Sequence, residues 1–270
     1  MYRGFNLKIS KYDEIAQSCY YEKGMSLLVG QKENIKNLKE YIDNDDGILN
    51  SSLIEKDWFP SINSHIFISH SHKNEKIAVS LAGYLNEKFG LECFIDSIIW
   101  GYSNDLLKEI DKKYCLLENK KTYDYDKRNN STSHIHTILS MALLKMIDKT
   151  ECLFFLNTPE SIPIEDTINN KSFTSSPWIY SEIKFSEIVR KKKSENRPLY
   201  KYNSSNFSQD SSENNSGVEL RMKYSVGTKH LVSLSADDIE SIPTSLKEPY
   251  AVLDYLYSNT YTKFLQQINN

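Results

Sequence analysis

Short apolar runs alternate with amphipathic segments along most of the chain, and this alternation limits its possible folds more than any other feature. The apolar runs cover residues 65–69, 91–96, 152–157 and 230–234. Between them, apolar side chains recur every three or four residues, which is the spacing of a helix that packs on a sheet. The alternation predicts an α/β fold with an open, doubly wound parallel sheet and helices on both faces.

The helices between these runs differ in how clearly their ends are marked. Residues 77–89 form one amphipathic segment, and Gly90 is placed to end it because glycine readily adopts a left-handed C-cap. A second helix is predicted to start at Ser133 and to lead into the run at 152–157. A third is predicted to start at Ser176, since a serine cap followed by proline is typical of a first helical turn. It should run for about 16 residues.

The chain divides into an extension and one main domain. Residues 1–60 are polar with helical spacing of their apolar positions, and Pro60 disfavours helix at the residue before it. This segment is therefore predicted as an N-terminal helical extension, and residues 61–270 as the α/β domain. Two polar stretches inside the domain, 112–133 and 203–217, lack any sustained apolar period and are predicted as inserted loops.

Composition and charge exclude several classes of protein. The net charge is -3 with basic and acidic residues interspersed, so there is no basic surface for a nucleic-acid backbone. No apolar stretch approaches the roughly 20 residues that span a bilayer, and the first residues contain no apolar signal-peptide core. We therefore expect a cytoplasmic protein that binds neither nucleic acid nor membrane. The 4 cysteines form no C-x-x-C pair and are predicted to be reduced thiols in the core.

The carboxyl ends of the predicted strands are the expected place for a ligand, because open parallel sheets bind ligands there. The predicted site therefore follows Ser69, Asp96 and Asn157, which end the first three apolar runs. The glycine-rich motifs of nucleotide kinases and dinucleotide dehydrogenases, G-x-x-x-x-G-K-[ST] and G-x-G-x-x-G, are absent from the sequence. The fold pattern alone thus leaves the reaction open.

Three segments of the chain match a known family in order and spacing. Residues 66–74 read Ile-Phe-Ile-Ser-His-Ser-His-Lys-Asn, residues 94–96 read Phe-Ile-Asp ahead of Gly101, and residues 177–182 read Pro-Trp-Ile-Tyr-Ser-Glu. They resemble the first strand with its loop, the second strand with the BB loop, and the W-x-x-x-E segment of TIR (Toll/interleukin-1 receptor-like) domains. The resemblance runs from about residue 65 to the C-terminus and implies a flavodoxin-like open parallel sheet.

The resemblance implies an NAD-cleaving enzyme, an NAD glycohydrolase or ADP-ribosyl cyclase, with Glu182 as its catalytic residue. NAD is then the substrate, and no separate cofactor is implied. The same resemblance implies contacts with NAD from the end of the first strand, from the BB-type loop at residues 97–103 and from the tryptophan of the W-x-x-x-E segment. These substrate-binding residues are Ser69, His70, Ser71, Trp100 and Trp178.

The chemistry of nicotinamide release suits a single carboxylate. Cleavage develops an oxocarbenium-like cation at the ribose, which a nearby carboxylate stabilises, while nicotinamide leaves as a neutral molecule that needs no general acid. Glu182 follows Trp178 by one helical turn, so both project from one face. The alternatives are a solvated Glu182 with Trp178 as a core anchor, and a purely structural role for residues 69–71 at the strand end.

Similar bacterial TIR proteins act in antiphage systems such as Thoeris, which implies a diffusible ADP-ribose-derived signal, either cyclic or conjugated. Such a signal requires a separate effector protein that senses it. The resemblance also implies self-association through TIR surfaces. Two other functions stay open: a non-catalytic TIR interaction module that uses Glu182 structurally, and a nucleoside deoxyribosyltransferase-like enzyme that releases a base from nucleosides.

Two histidine pairs form a further motif. His70 with His72 and His134 with His136 each lack a third ligand in register, so no metal site is predicted. The first pair lies in the loop after the first predicted strand. There residues 73–74 are Lys-Asn, where an acidic residue is common in TIR domains.

Overall fold

The computed structural model describes residues 1–10, 13–28, 41–43, 48–119, 121–163, 172–191 and 222–268. Its strands are β1 (Arg3–Lys8), β2 (Ile42–Asp43), β3 (Ile48–Leu49), β4 (Ile66–Ser69), β5 (Cys93–Ile95), β6 (Cys152–Leu156), β7 (Ser172–Thr174), β8 (Tyr224–Val226) and β9 (Val232–Ser235). Its α-helices are α1 (Ser18–Leu28), α2 (Ser51–Trp58), α3 (Glu75–Phe89), α4 (Asp96–Ile110), α5 (Tyr125–Lys149), α6 (Pro177–Ile188), α7 (Ala236–Glu240), α8 (Pro249–Asn259) and α9 (Tyr261–Ile268).

A parallel sheet of 5 strands, in the order β5-β4-β6-β1-β9, forms the centre of the fold. Strands β4 and β6 take inner places, and every residue of both is buried. Their sequences are almost entirely apolar, as expected of strands that are covered on both faces. The pairs β2 with β3 and β7 with β8 are antiparallel and lie outside this sheet. The predicted α/β fold is thus confirmed.

The N-terminal strand β1 is the main difference from the prediction. It lies between β6 and β9 and pairs with both, so the assignment of residues 1–60 to a helical extension outside the domain is wrong for this strand. Phe5 and Leu7 are completely buried, with the less buried Asn6 between them. Their alternation has the period of two that is typical of a strand. This short pattern is not visible when the spacing of apolar residues is judged over the first 60 residues together. When only the 5 strands of the central sheet are numbered in chain order, their order across the sheet is 3-2-4-1-5. A flavodoxin-like sheet has the order 2-1-3-4-5.

Helices cover both faces of the sheet. Ile66 and Ile68 of β4 belong to a core that includes residues of α1, α3 and α8. Phe67, between them, belongs to a second core with residues of α2, α4, α5 and α6. Alternate residues of a strand point to opposite faces, so each strand shares its side chains between these two layers. We call them the α3 face and the α6 face.

On the α3 face, two glycines allow α1 and α3 to touch through their backbones. A Cβ atom at Gly24 would overlap the backbone oxygen of Val79, and one at Gly83 would overlap that of Tyr20. Only glycine fits where two backbones approach so closely. At the end of α3, Gly90 has a φ of 67°, which confirms the predicted left-handed C-cap.

The predicted inserted loop at 112–133 is largely helical. A π-helical turn covers Asp111–Cys115, and α5 begins after Asp124, whose side chain caps it. Ser133 is therefore not the cap of this helix, and the prediction of its start is wrong. Most of residues 125–134 are exposed, so the first turns of α5 lack the apolar period by which a helix is recognised.

The remaining predicted segments have different outcomes in the structure. The BB-type loop expected at 97–103 is wrong, because these residues lie inside α4, which follows β5 directly. The helix after Ser176 is confirmed: this serine caps α6, although the helix has 12 residues, fewer than predicted. The expected loop at 203–217 lies outside the described residues.

Candidate functional site

The crevice between the carboxyl ends of β4 and β6 is where this sheet favours a ligand. From β4 the chain moves to one side, to β5, and from β6 it moves to the other side, past β1 to β9. Such a reversal separates the loops that follow the two strands. Thr158 Oγ1 donates to Asn74 Oδ1 over 2.6 Å, and Asn74 Nδ2 donates to Glu160 Oε2 over 3.4 Å. Although the reversal separates the loops where they leave the sheet, these bonds join them across the crevice.

The end of β4 leads into this crevice. Ser69 is completely buried and His70 is nearly so. Ser69 points to the α6 face, two residues after Phe67 of that face. Ser71 is half-buried at the start of the turn His72–Asn74. The structure therefore places the first two predicted contact residues inside the protein and the third at its edge.

Helix α6 carries the predicted catalytic carboxylate. Glu182 is 0% exposed and lies on the same side of the helix as the buried residues Ile179 and Ile183. The alternative of a solvated Glu182 is therefore wrong. Trp178 is half-buried, with its ring centroid 5.3 Å from that of His136 on α5. The tryptophan thus packs between two helices, one turn before the glutamate.

Contacts at the other end of α6 indicate the height of Glu182 above the sheet. Ser186 Oγ lies 2.8 Å from Nε2 of His230, just before β9. The amine of Met1, just before β1, donates to Arg190 O over 3.5 Å. The C-terminal end of α6 therefore lies at the amino ends of the strands. Glu182 is one helical turn nearer the carboxyl ends, about two strand residues, which puts it level with the middle of β1.

A row of three residues crosses the sheet near this level. Ser69 of β4 is in register with Phe155 of β6, which is in register with Asn6 of β1. The atoms Ser69 Oγ and Asn6 Oδ1 are buried, and neither has a hydrogen-bond partner among the described residues. Buried polar atoms are normally paired, so this row requires an explanation. Sequence reasoning missed Asn6, because its strand was assigned to the extension.

Histidines on the α6 face are neutral at pH 7. Burial lowers the pKa of His136 below its ordinary value of 6.5. Burial also lowers the pKa of His230, and the negative charge of Glu187 opposes this shift only in part. As uncharged imidazoles, His136 packs against Trp178 and His230 shares a hydrogen bond with Ser186.

The predicted contact from Trp100 stays a prediction. Trp100 belongs to α4, and its side chain lies outside the described part of the structure. In its described backbone, this region is helical where an extended loop was expected to present the tryptophan. The substrate contact at this position therefore rests on the resemblance alone.

The other expectations concern the cysteines, metal binding and membrane-spanning segments. All four cysteines are free, but Cys19 is exposed, so its expected place in the core is wrong, while Cys115 and Cys152 are buried. Within the described ranges, no cluster of three or more His, Cys, Asp or Glu side chains is arranged to hold a metal ion. No described helix has both the length and the apolar character needed to cross a bilayer.

Comparison with known proteins adds no family to this geometry. No family model, no curated protein and no solved structure matches the chain.

Proposed function

We propose that this protein is a TIR-like enzyme that cleaves NAD between ribose and nicotinamide, with Glu182 as the catalytic residue. The observation that carries the proposal is the complete burial of Glu182 on the inner side of α6. Glutamate is rarely buried to this extent, and buried ionisable groups are concentrated at functional sites. The W-x-x-x-E segment that contains it resembles the segment that holds the catalytic glutamate of NAD-cleaving TIR domains.

The surroundings of Glu182 suit the charge that develops during cleavage. As the bond to nicotinamide breaks, positive charge grows on the ribose, and the carboxylate stabilises it. The neighbouring Ile179 and Ile183 are apolar and buried, and a weakly polarisable environment strengthens the attraction between the two charges. Nicotinamide departs as a neutral molecule, so no second acid is required.

The positions of three other predicted residues support the proposal. Ser69 and His70 end β4 beside the crevice, and Trp178 precedes Glu182 by one turn. An aromatic ring beside a carboxylate provides a stacking surface for nicotinamide next to a charge for ribose. From β4 onward, the strands β5-β4-β6 also keep the 2-1-3 order with which a flavodoxin-like sheet begins.

The proposal requires the site to open. A carboxylate with 0% exposure does not contact ribose until the groups around it move. We expect self-association of the protein through its TIR-like surfaces to produce this opening. Conformational steps of this kind commonly complete an enzyme's active site.

We further propose that the product is a signal. A closed apolar site excludes water and so favours capture of the ribose cation by another nucleophile over hydrolysis. The product would then be a cyclic or conjugated ADP-ribose derivative, which a separate effector protein senses in the cytoplasm during antiphage defence. Mass spectrometry of the products distinguishes such a species from linear ADP-ribose.

The test of the activity is nicotinamide release by Glu182→Gln, which keeps the size of the side chain and removes its charge. We expect a loss of at least about 100-fold, the effect of removing one transition-state contact, with the Tm preserved. The matched control is Glu187→Gln, on the same helix, because Glu187 is exposed and pairs with Lys184 over 2.9 Å. Wild-type turnover in Glu182→Gln, measured over a concentration series, would overturn the assignment.

A non-catalytic TIR interaction module is the second candidate. The complete burial of Glu182 favours it as well, since a structural glutamate needs no route to a ligand. This function predicts no nicotinamide release from the wild-type protein at any concentration. It also predicts that Glu182→Gln lowers the Tm, which the enzymatic function does not.

A further inference from the structure

We infer that Asn6 and Ser69 form a hydrogen-bonding row that holds the nicotinamide-ribose half of NAD across Phe155. The inference rests on the proposed function and identifies the part of the substrate that this row binds. Asn6 belongs to β1, which lies outside the segment that resembles TIR domains. The substrate site would therefore be completed by the N-terminal strand of the chain.

The register of the sheet brings these residues together. Ser69 and Asn6 flank Phe155 on the two strands next to β6, so they lie about 10 Å apart, twice the spacing between strands. Alternation along each strand directs all three side chains to the α6 face. Glu182 lies on the helix above this face, level with the middle of β1. A ligand seated on the row would therefore lie at the height of the predicted catalytic carboxylate.

The buried hydrogen-bonding atoms of the row determine which donors and acceptors its ligand must offer. Among the described residues, neither Asn6 Oδ1 nor Ser69 Oγ has a partner, and both atoms are buried. Leaving such atoms unpaired destabilises the folded protein, so a bound ligand is a physical reason for their presence. Asn6 Oδ1 only accepts hydrogen bonds, whereas Ser69 Oγ both donates and accepts.

A nicotinamide-ribose unit meets these requirements. Its ribose hydroxyls and its carboxamide both donate hydrogen bonds, as Asn6 Oδ1 demands. The pyrophosphate of NAD carries only acceptors at neutral pH and therefore does not pair with Asn6 Oδ1. The chemistry of the row thus excludes the phosphates, and its place at the height of Glu182 assigns it to the half of NAD at which cleavage occurs.

The experiment measures the Kd of NAD by calorimetry in the Glu182→Gln background, which prevents turnover. Asn6→Val and Ser69→Ala are each expected to raise the Kd roughly fivefold, the effect of losing one net hydrogen bond. Their Tm without ligand should equal or exceed that of the background protein, because each change removes an unpaired buried polar atom. Ser233→Ala is the control, since Ser233 is in register with Asn6 but exposed.

Each of the following outcomes counts against either the inference or the proposed function. If the Kd is unchanged in both variants while the wild type releases nicotinamide, the row does not bind substrate and the proposed function stands. If both variants lower the Tm by several degrees, the two residues are structural and the inference is wrong. Absence of NAD binding in the background protein overturns the inference, and absence of nicotinamide release by the wild type overturns the proposed function.

Discussion

Buried polar side chains of this fold differ in whether the surrounding described residues form hydrogen bonds with them. The carboxylate of Asp111 accepts from Arg128 Nε over 2.8 Å and from Ser131 Oγ over 2.7 Å. Its burial is thus explained by the structure itself. Asn6 Oδ1 and Ser69 Oγ have no such partner among the described residues. Paired groups of the first kind stabilise the fold, and groups of the second kind are where a ligand gains most from binding.

His65 gives the protein a pH-dependent stability. Burial lowers the pKa of this residue below 6.5, Glu248 opposes the shift only in part, and His65 Nδ1 accepts a hydrogen bond from Glu92 N over 3.0 Å. The unfolded chain therefore binds a proton more readily than the folded one. The contribution of neutral His65 to the stability of the folded protein is complete above a pH of about 6.5. It decreases as the pH falls toward the pKa of this residue in the folded state.

We therefore expect the Tm to fall as the pH is lowered from about 7 to about 5.5, through the unfolded pKa. His65→Gln keeps an acceptor but does not titrate, so it should reduce the slope of this fall. His72→Gln is the matched control, because His72 is exposed. Equal slopes for His65→Gln and the wild type, measured by thermal unfolding, would contradict the assignment.

At the scale of elements, the close contact of α1 with α3 decides how the α3 face packs. Gly83→Ala has two opposing effects: alanine favours a helix by about 1 kcal/mol over glycine, whereas overpacking costs about 1–3 kcal/mol. The overlap should dominate, because the new Cβ meets the backbone oxygen of Tyr20, which has no rotamer to change. We expect the free energy of unfolding to fall by about 1–2 kcal/mol.

Urea unfolding measures this change. Gly227→Ala is the control, because a Cβ at Gly227 meets no atom within 4 Å. It should leave the unfolding midpoint nearly unchanged. A midpoint for Gly83→Ala at or above that of the wild type would show that the two helices separate without cost.

At the scale of the whole molecule, β1 makes the N-terminal region part of the domain. It supplies one of the inner strands of the sheet and pairs on both edges, and Phe5 and Leu7 lie in the same core as α3. Residues 61–270 alone would lose this strand and leave β6 and β9 with unpaired edges. We expect this fragment not to unfold cooperatively, whereas the full chain does.

Circular dichroism and calorimetry of the fragment and the full chain make the comparison. A single cooperative transition of the fragment, at a Tm close to that of the full chain, would restore the view of residues 1–60 as a separate extension. Loss of the transition would place the domain boundary at the start of β1.

Local patterns in the sequence determined much of this fold. The runs that became β4, β5, β6 and β9 were recognised because each buries consecutive or alternating apolar residues. Gly90 and Ser176 were recognised as helix ends because their roles depend only on neighbouring backbone. Glu182 was singled out by the W-x-x-x-E segment. All of these depend on residues close together in the chain.

Only the tertiary structure decided the rest. β1 finds its partners near residues 152 and 232, and the short period of two around Asn6 does not show which strands these are. The first turns of α5 are exposed, so no apolar face revealed them. The burial of Glu182 and the row from Ser69 to Asn6 arise where the helices of the α6 face cover three strands that are far apart in sequence. Burial and register are properties of packed elements, and a single segment does not contain them.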